Sequence, residues 1–207
     1  MKCLKGMIYG LRLAFVVCSI YLLCQLKFDR QILLWGSLAL TFVPELFTKV
    51  SKVKIPIWAR VFYTLFLFCS QLLGSVLGAY TYFSWWDVML HGVSGVFLGY
   101  VALIIMVAAD RSGTLFKQRK TGLIVLFILA ISIASAGIWE IIEFTGDTLF
   151  GANAQLGSLQ DTMEDIICGT IGGGIYAIYI GIMMKSKRRC AIDTLLDFNG
   201  ISKRNKK

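Results

Sequence analysis

The sequence predicts an all-α fold: a polytopic integral membrane protein of six transmembrane helices, with both termini cytoplasmic. Three observations carry that prediction. The chain is 57% hydrophobic and only 16% charged, with a mean hydropathy of +0.72, and a soluble domain of 207 residues cannot hide so much apolar surface. Apolar runs near the length of about 20 residues that crosses a bilayer occur at 7–26, 31–47, 57–82, 88–109, 122–144 and 162–184. The basic residues alternate with those runs: a six-span path puts nineteen of the 21 lysines and arginines on one side, which the positive-inside rule makes the cytoplasm.

Lys2, Lys5 and Arg12 lie at the start, so the first run has a basic head and an apolar body, as a signal peptide does. No small-x-small cleavage site follows it, and Leu23 before Cys24 does not suit lipoprotein cleavage, so it is read as an uncleaved span. The second run is short and carries Pro44 and Glu45 near its end, which leaves room for a half-buried or tilted segment. Lys49, Lys52, Lys54 and Arg60 follow it. The third run is long and ends in Tyr80, Tyr82, Phe83, Trp85 and Trp86, the composition of an interfacial aromatic belt. Arg111, Lys117, Arg119 and Lys120 separate the fourth run from the fifth, and only Lys27 and Arg30 fall on the far side. Residues 1–184 thus read as one six-span domain. Residues 185–207 read as a basic cytoplasmic tail, resting on the inner leaflet or without structure.

In a soluble protein the net charge of +9 would point to nucleic acid. Here the basic residues flank apolar runs, so the expected partners are membrane lipids, with anionic headgroups at the cytoplasmic face, and no nucleic acid. The sequence is silent on oligomeric state. The six cysteines (Cys3, Cys18, Cys24, Cys69, Cys168, Cys190) form no Cys-x-x-Cys pair and read as small packing residues.

Of the 12 acids, seven fall in three clusters. Asp87 and His91, the one histidine, are four apart and share a helical face, with Ser94, Gly95 and Gly99 close to it. Capping would account for Asp87 alone. Glu140, Glu143 and Asp147 are spaced i, i+3, i+7, one stripe if the helix continues. The first two are read as closing the fifth span and Asp147 as opening the loop. There the helix dipole disfavours negative charge, so capping does not explain them. Asp161 and Asp165 are four apart, Glu164 lies beside them, and Gly169 and Gly173 extend the face. Ser158 and Asp161 have the spacing of a capping box. The glycine run 169–174 reads as close helix packing rather than a phosphate loop, because it lies in a span and lacks the lysine. All three clusters map to the outer side, where the loops 83–87 and 145–160 hold no lysine or arginine. Acids at that depth without basic partners mark a functional site.

The string Trp86-Asp87-Val-Met-Leu-His91-Gly-Val-Ser94-Gly95, then Trp139-Glu140-Ile-Ile-Glu143-Phe144, then Leu159-Gln160-Asp161-Thr162-Met163-x-Asp165 before a glycine-rich helix, resembles the YjdF-like family of bacterial inner-membrane proteins over roughly residues 50–185. The layout is more distantly similar to the VanZ-like proteins linked to glycopeptide resistance, although Val88 stands where a lysine is common in both groups. The resemblance implies an inner-membrane location and the same site residues; it implies no reaction.

The candidate site is therefore Asp87, His91, Glu140, Glu143, Asp161 and Asp165, with Asp147 and Glu164 at its rim. All but Asp87 are candidate metal ligands. Carboxylates plus one imidazole suit a divalent metal: Mg²⁺, Mn²⁺, Fe²⁺ or Zn²⁺. The leading functional reading is a metal-dependent enzyme acting on an envelope lipid or lipid-linked headgroup. The alternatives are a structural or stress-response membrane protein whose acids bind an ion, and a cation or proton carrier. The topology has its own test. With the native cysteines replaced, a cysteine at position 153 is expected to label from outside intact cells and one at 117 to be protected. The reverse pattern would move the acids to the cytoplasm.

Overall fold

The structure is a computed structural model that describes residues 2–28, 30–151, 154–155, 157–186 and 188–201. Position 153, in the loop just discussed, lies outside the described residues, as do Lys187 and residues 202–207 of the tail. Among the described residues every regular element is a helix. Six segments are long and apolar enough to cross a membrane: Lys2–Cys24, Gln31–Ser51, Ile57–Val76, Trp86–Ala109, Thr121–Phe150 and Leu159–Lys185. The chain divides into two compact units, Met1–Trp86 and Asp87–Lys207.

In the first unit, α1 (Lys2–Cys24) is one continuous helix. The second span is two helices, α2 (Gln31–Leu40) and α3 (Val43–Ser51). Pro44 accounts for the break: it has no N–H to give the carbonyl four residues back, which is Leu40 O. A bare carbonyl is costly in hydrocarbon, and here Tyr63 OH donates to Leu40 O at 3.1 Å. The neighbouring Thr41 O accepts from Arg12 Nη2 at 2.7 Å. The Arg12 guanidinium also donates to Thr41 Oγ1 and Glu45 Oε1, at 2.9 Å each, and lies 3.8 Å over the Phe42 ring. Arg60 pairs with the same Glu45 oxygen. Arg12 therefore belongs to a helix-break network within the spans rather than to the basic head of the chain.

After Pro56, α4 (Ile57–Leu67) runs into a π-helical stretch, Phe68–Val76. That stretch stops at Leu77–Gly78, where Gly78 takes φ 84°, a left-handed conformation that glycine adopts without a Cβ penalty. The third span accordingly ends at Val76 rather than at 82; Ala79–Tyr82 form the separate short helix α5. Arg30 donates to the freed carbonyls Ser75 O, at 3.2 Å, and Val76 O. Phe15, Leu22, Leu34, Leu72 and Val76 make the apolar core of this unit.

The second unit holds most of α6 (Trp86–Ala109), then α7 (Thr114–Lys117), α8 (Thr121–Phe150), α9 (Leu159–Lys185) and α10 (Ala191–Phe198). Helices α8 and α9 pack along each other as an antiparallel pair, joined by residues 151–158. Gly151 at φ 64° ends α8, six residues beyond the predicted limit of the span. Helix α9 packs against α6 through glycines: a Cβ at Gly95 would collide with Gly169 O, and one at Gly172 with Gly92 O. Part of the tail is ordered. Helix α10 buries Ile192, Leu195 and Leu196, and Arg119 Nη1 donates to Met184 O at 2.9 Å, closing the end of α9.

The glycine contact generates a paired prediction. Gly95→Ala or Gly172→Ala must push α6 and α9 apart, with a loss of roughly 1–3 kcal/mol. Gly174, with nothing within 4 Å of an added Cβ, tolerates alanine. Thermal unfolding in detergent reads the difference as a lower midpoint for the first two variants and an unchanged one for Gly174→Ala.

Candidate functional site

Helix α6 carries Asp87 in its first turn and His91 one turn on. Helix α9 begins at Ser158, whose hydroxyl accepts from Asp161 N at 3.3 Å; this supplies the N-cap half of the predicted box. Asp165 follows one turn deeper and is 2% exposed, while His91 is 7% exposed. The glycine contact lies just beyond both residues and brings them together. His91 Nε2 is 3.5 Å from Asp87 Oδ1 and 3.8 Å from Asp165 Oδ2. One ligand atom from each of Asp87, His91 and Asp165 lies within 4.8 Å of the others. These separations exceed an ordinary hydrogen bond, and Asp165 Oδ2 is buried without a hydrogen-bond partner.

Glu140 projects from α8 and is 3% exposed. Its Oε2 accepts from Gln155 Nε2 at 3.1 Å, and the same amide donates to Glu140 O at 3.1 Å. Its Oε1 is buried and makes no hydrogen bond. Glu140 lies within electrostatic range of both His91 and Asp165, so it belongs to the neighbourhood of the triad without being one of its three close atoms.

The other candidates have different surroundings. Glu143 accepts from Trp139 Nε1 at 2.8 Å, one turn back on its own helix. Glu164 is exposed and accepts from Gln160 Nε2 at 2.7 Å. Asp161 is half-buried at the mouth of α9. Asp147 corrects the sequence reading. It lies inside α8 rather than in the loop, and its two oxygens accept from Ala154 N at 2.7 Å and Gln155 N at 3.0 Å. Capping does explain this residue, because it caps the returning chain rather than its own helix.

Sequence reasoning missed two supporting residues. Gln155 fixes Glu140 from a loop that carried no pattern, and Trp139 holds Glu143 through an i, i+4 spacing that is visible in the sequence. Ser94, three residues after His91, donates to His91 O at 2.8 Å and so is engaged with its own helix.

An all-helical membrane protein with a buried acid and histidine cluster is the class that fold and site define. The chain belongs to the family described as "Predicted membrane protein (DUF2238)", which matches residues 7–186. The YjdF-like resemblance fits this family; the VanZ-like likeness has no counterpart among the matches. A Thermotoga maritima protein described as "Uncharacterized protein" is 28% identical over 132 residues. That alignment spans 63% of this chain and 66% of the relative. No solved structure matches the chain.

A charge-assisted hydrogen bond lost from a loop is worth about 1.5 kcal/mol or more. Asp147→Ala should therefore raise amide exchange at Ala154 and Gln155 by about tenfold or more, with exchange in the middle of α8 unchanged.

Proposed function

We propose that Asp87, His91 and Asp165 form a divalent-cation site in the outer half of a bacterial cytoplasmic membrane, and that the site serves chemistry on an envelope lipid or lipid-linked headgroup. The observation that carries the reading is the convergence of three ligand atoms from two helices within 4.8 Å, with Asp165 Oδ2 buried and unpartnered. A first-row divalent ion with bonds of about 2.0–2.2 Å holds adjacent ligand atoms roughly 3.0–3.5 Å apart. The contacts of 3.5 and 3.8 Å are near that spacing.

The donor set narrows the ion. Imidazole favours Zn²⁺ or Fe²⁺, and two carboxylates admit Mn²⁺; Mg²⁺ prefers oxygen and retained water. Three protein ligands leave a position open, the pattern of a catalytic rather than a structural site. A bound ion would supply Lewis acidity toward a phosphoryl or ester oxygen. The protein's own part is to hold the ligands rigid on α6 and α9, and to keep Glu140 close by with one oxygen free to take a proton. The outward placement and the cytoplasmic termini rest on the basic-residue bias.

One observation favours a structural role as a second reading. The triad lies beside the glycine contact, so an ion there would also staple α6 to α9.

Elemental analysis of the detergent-purified protein, prepared without chelator and offered Zn²⁺, Mn²⁺ or Fe²⁺, tests the site. The wild type is expected to retain close to one equivalent, and Asp165→Asn and His91→Gln to lose it while still inserting. Glu140→Gln is expected to keep the ion and lose activity. A wild type without metal after loading, or variants that retain it fully, would overturn the reading. Metal lost together with thermal stability, in a protein without turnover on any lipid, would establish the staple instead.

A further inference from the structure

A second feature of the same unit lies between α8, α9 and the turn that joins them: a cavity of about 680 Å³, well inside the range of about 300–1,000 Å³ typical of ligand sites. Its wall has two characters. Glu140, Asp147, Gln155, Ser158 and Thr162 supply a polar lining, while Ile141, Phe144 and Leu159 supply an apolar one. Those three apolar side chains are exposed, Leu159 at 78%, so in a bilayer they face acyl chains and the cavity opens to lipid.

The polar lining has a defined chemical bias. Glu140 lines the cavity, is 3% exposed, and has one oxygen, Oε1, without a hydrogen-bond partner. A buried carboxylate oxygen with no donor is costly, and the occupant that relieves it must bring an N–H or O–H. An anionic headgroup would also bring net negative charge beside two acids, since Glu140 and Asp147 both line the cavity and residues 121–184 contain no lysine or arginine to balance it.

We propose that this cavity seats one lipid by its headgroup, and that the headgroup donates hydrogen bonds and carries no net negative charge, as an ammonium or a polyol does. Glu140 is the specificity-determining acceptor, Gln155 orients it, and Ile141, Phe144 and Leu159 receive the upper part of the chain. The inference deepens the lipid-directed reading above and rests on it for the lipid. It does not rest on the metal.

The test is native mass spectrometry of the detergent-purified protein in the presence of EDTA. The probes are three lipids with the same acyl chains: phosphatidylethanolamine, glucosyl diacylglycerol and phosphatidylglycerol. One equivalent of either of the first two is expected to bind about tenfold more tightly than the third, the scale of one charge-assisted hydrogen bond. Which of them binds distinguishes an ammonium from a polyol. Glu140→Gln keeps the shape and removes the charge, so it should relax discrimination against phosphatidylglycerol. Thr162→Trp fills the cavity and should displace every lipid. Phosphatidylglycerol bound as tightly as the others would overturn the proposal, as would a Thr162→Trp protein of wild-type elution that retains its lipid. Because chelator is present throughout, a missing metal site leaves this result untouched, and a failed lipid preference leaves the metal analysis untouched.

Discussion

The approach of α6 to α9 is the constraint on which the rest of the site depends. Helices in hydrocarbon gain little from burying apolar surface against each other, so close packing and polar contacts hold them together. Gly95 lies against Gly169 and Gly172 against Gly92 so closely that a Cβ on Gly95 or Gly172 would run into the facing backbone. One turn along each helix from that contact stand His91 and Asp165. If the backbones were a side chain further apart, the imidazole and the carboxylate would each be alone in an apolar setting. The small residues thus position the chemistry without taking part in it, and they explain how the first acid and the seventh of the outer set come to share one imidazole.

The two units handle buried charge in opposite ways, and the contrast separates structure from function. In the first, Glu45 is matched by Arg12 and Arg60, and the network has a local cause: Pro44 breaks a helix and leaves carbonyls that Arg12 and Tyr63 satisfy. That charge needs no ligand to justify it. In the second, Asp87, Glu140 and Asp165 have no lysine or arginine nearby in sequence: residues 86–109 and 121–184 contain none. Their partners are one histidine, one glutamine amide and, for two oxygens, nothing. Buried carboxylates without counterions persist only where something else compensates them.

Most of the architecture was legible because it follows from length and period. Apolar runs near bilayer thickness gave all six spans, and i, i+4 spacing placed Asp87 with His91 and Asp161 with Asp165 on common faces. What stayed hidden depended on tertiary context. The third span stops at Val76 because its last turns widen into a π-helix before Gly78, and no composition change marks that point. Helix α8 carries its apolar stripe on to Phe150, so Asp147 looks like a loop residue until Ala154 and Gln155 are seen folding back onto it. Arg12 reads as part of the basic start of the chain, yet it is the sixth residue of an apolar run, where an arginine needs an acid, and Glu45 supplies it. The sorting of the acids was the least legible feature, since it is set by the rotation of each helix about its axis and spacing does not report that.

Two carboxylate oxygens of the second unit are left bare. Asp165 Oδ2 and Glu140 Oε1 sit on different helices, and each is nearly sealed from solvent. Were the acids only surface carboxylates at headgroup level, their oxygens would be open to water and hydrated. Were they only structural, a guanidinium would be expected beside each, as Arg12 and Arg60 stand beside Glu45, whose Oε2 is also bare. Neither description fits. Asp165 faces an imidazole and a second carboxylate, which is what a cation requires. Glu140 faces a cavity with an apolar wall, which is what an amphiphile requires. The proposed cation and the proposed lipid thus answer separate atoms on α9 and α8, and an enzyme that works on a membrane lipid would have to bring those two together.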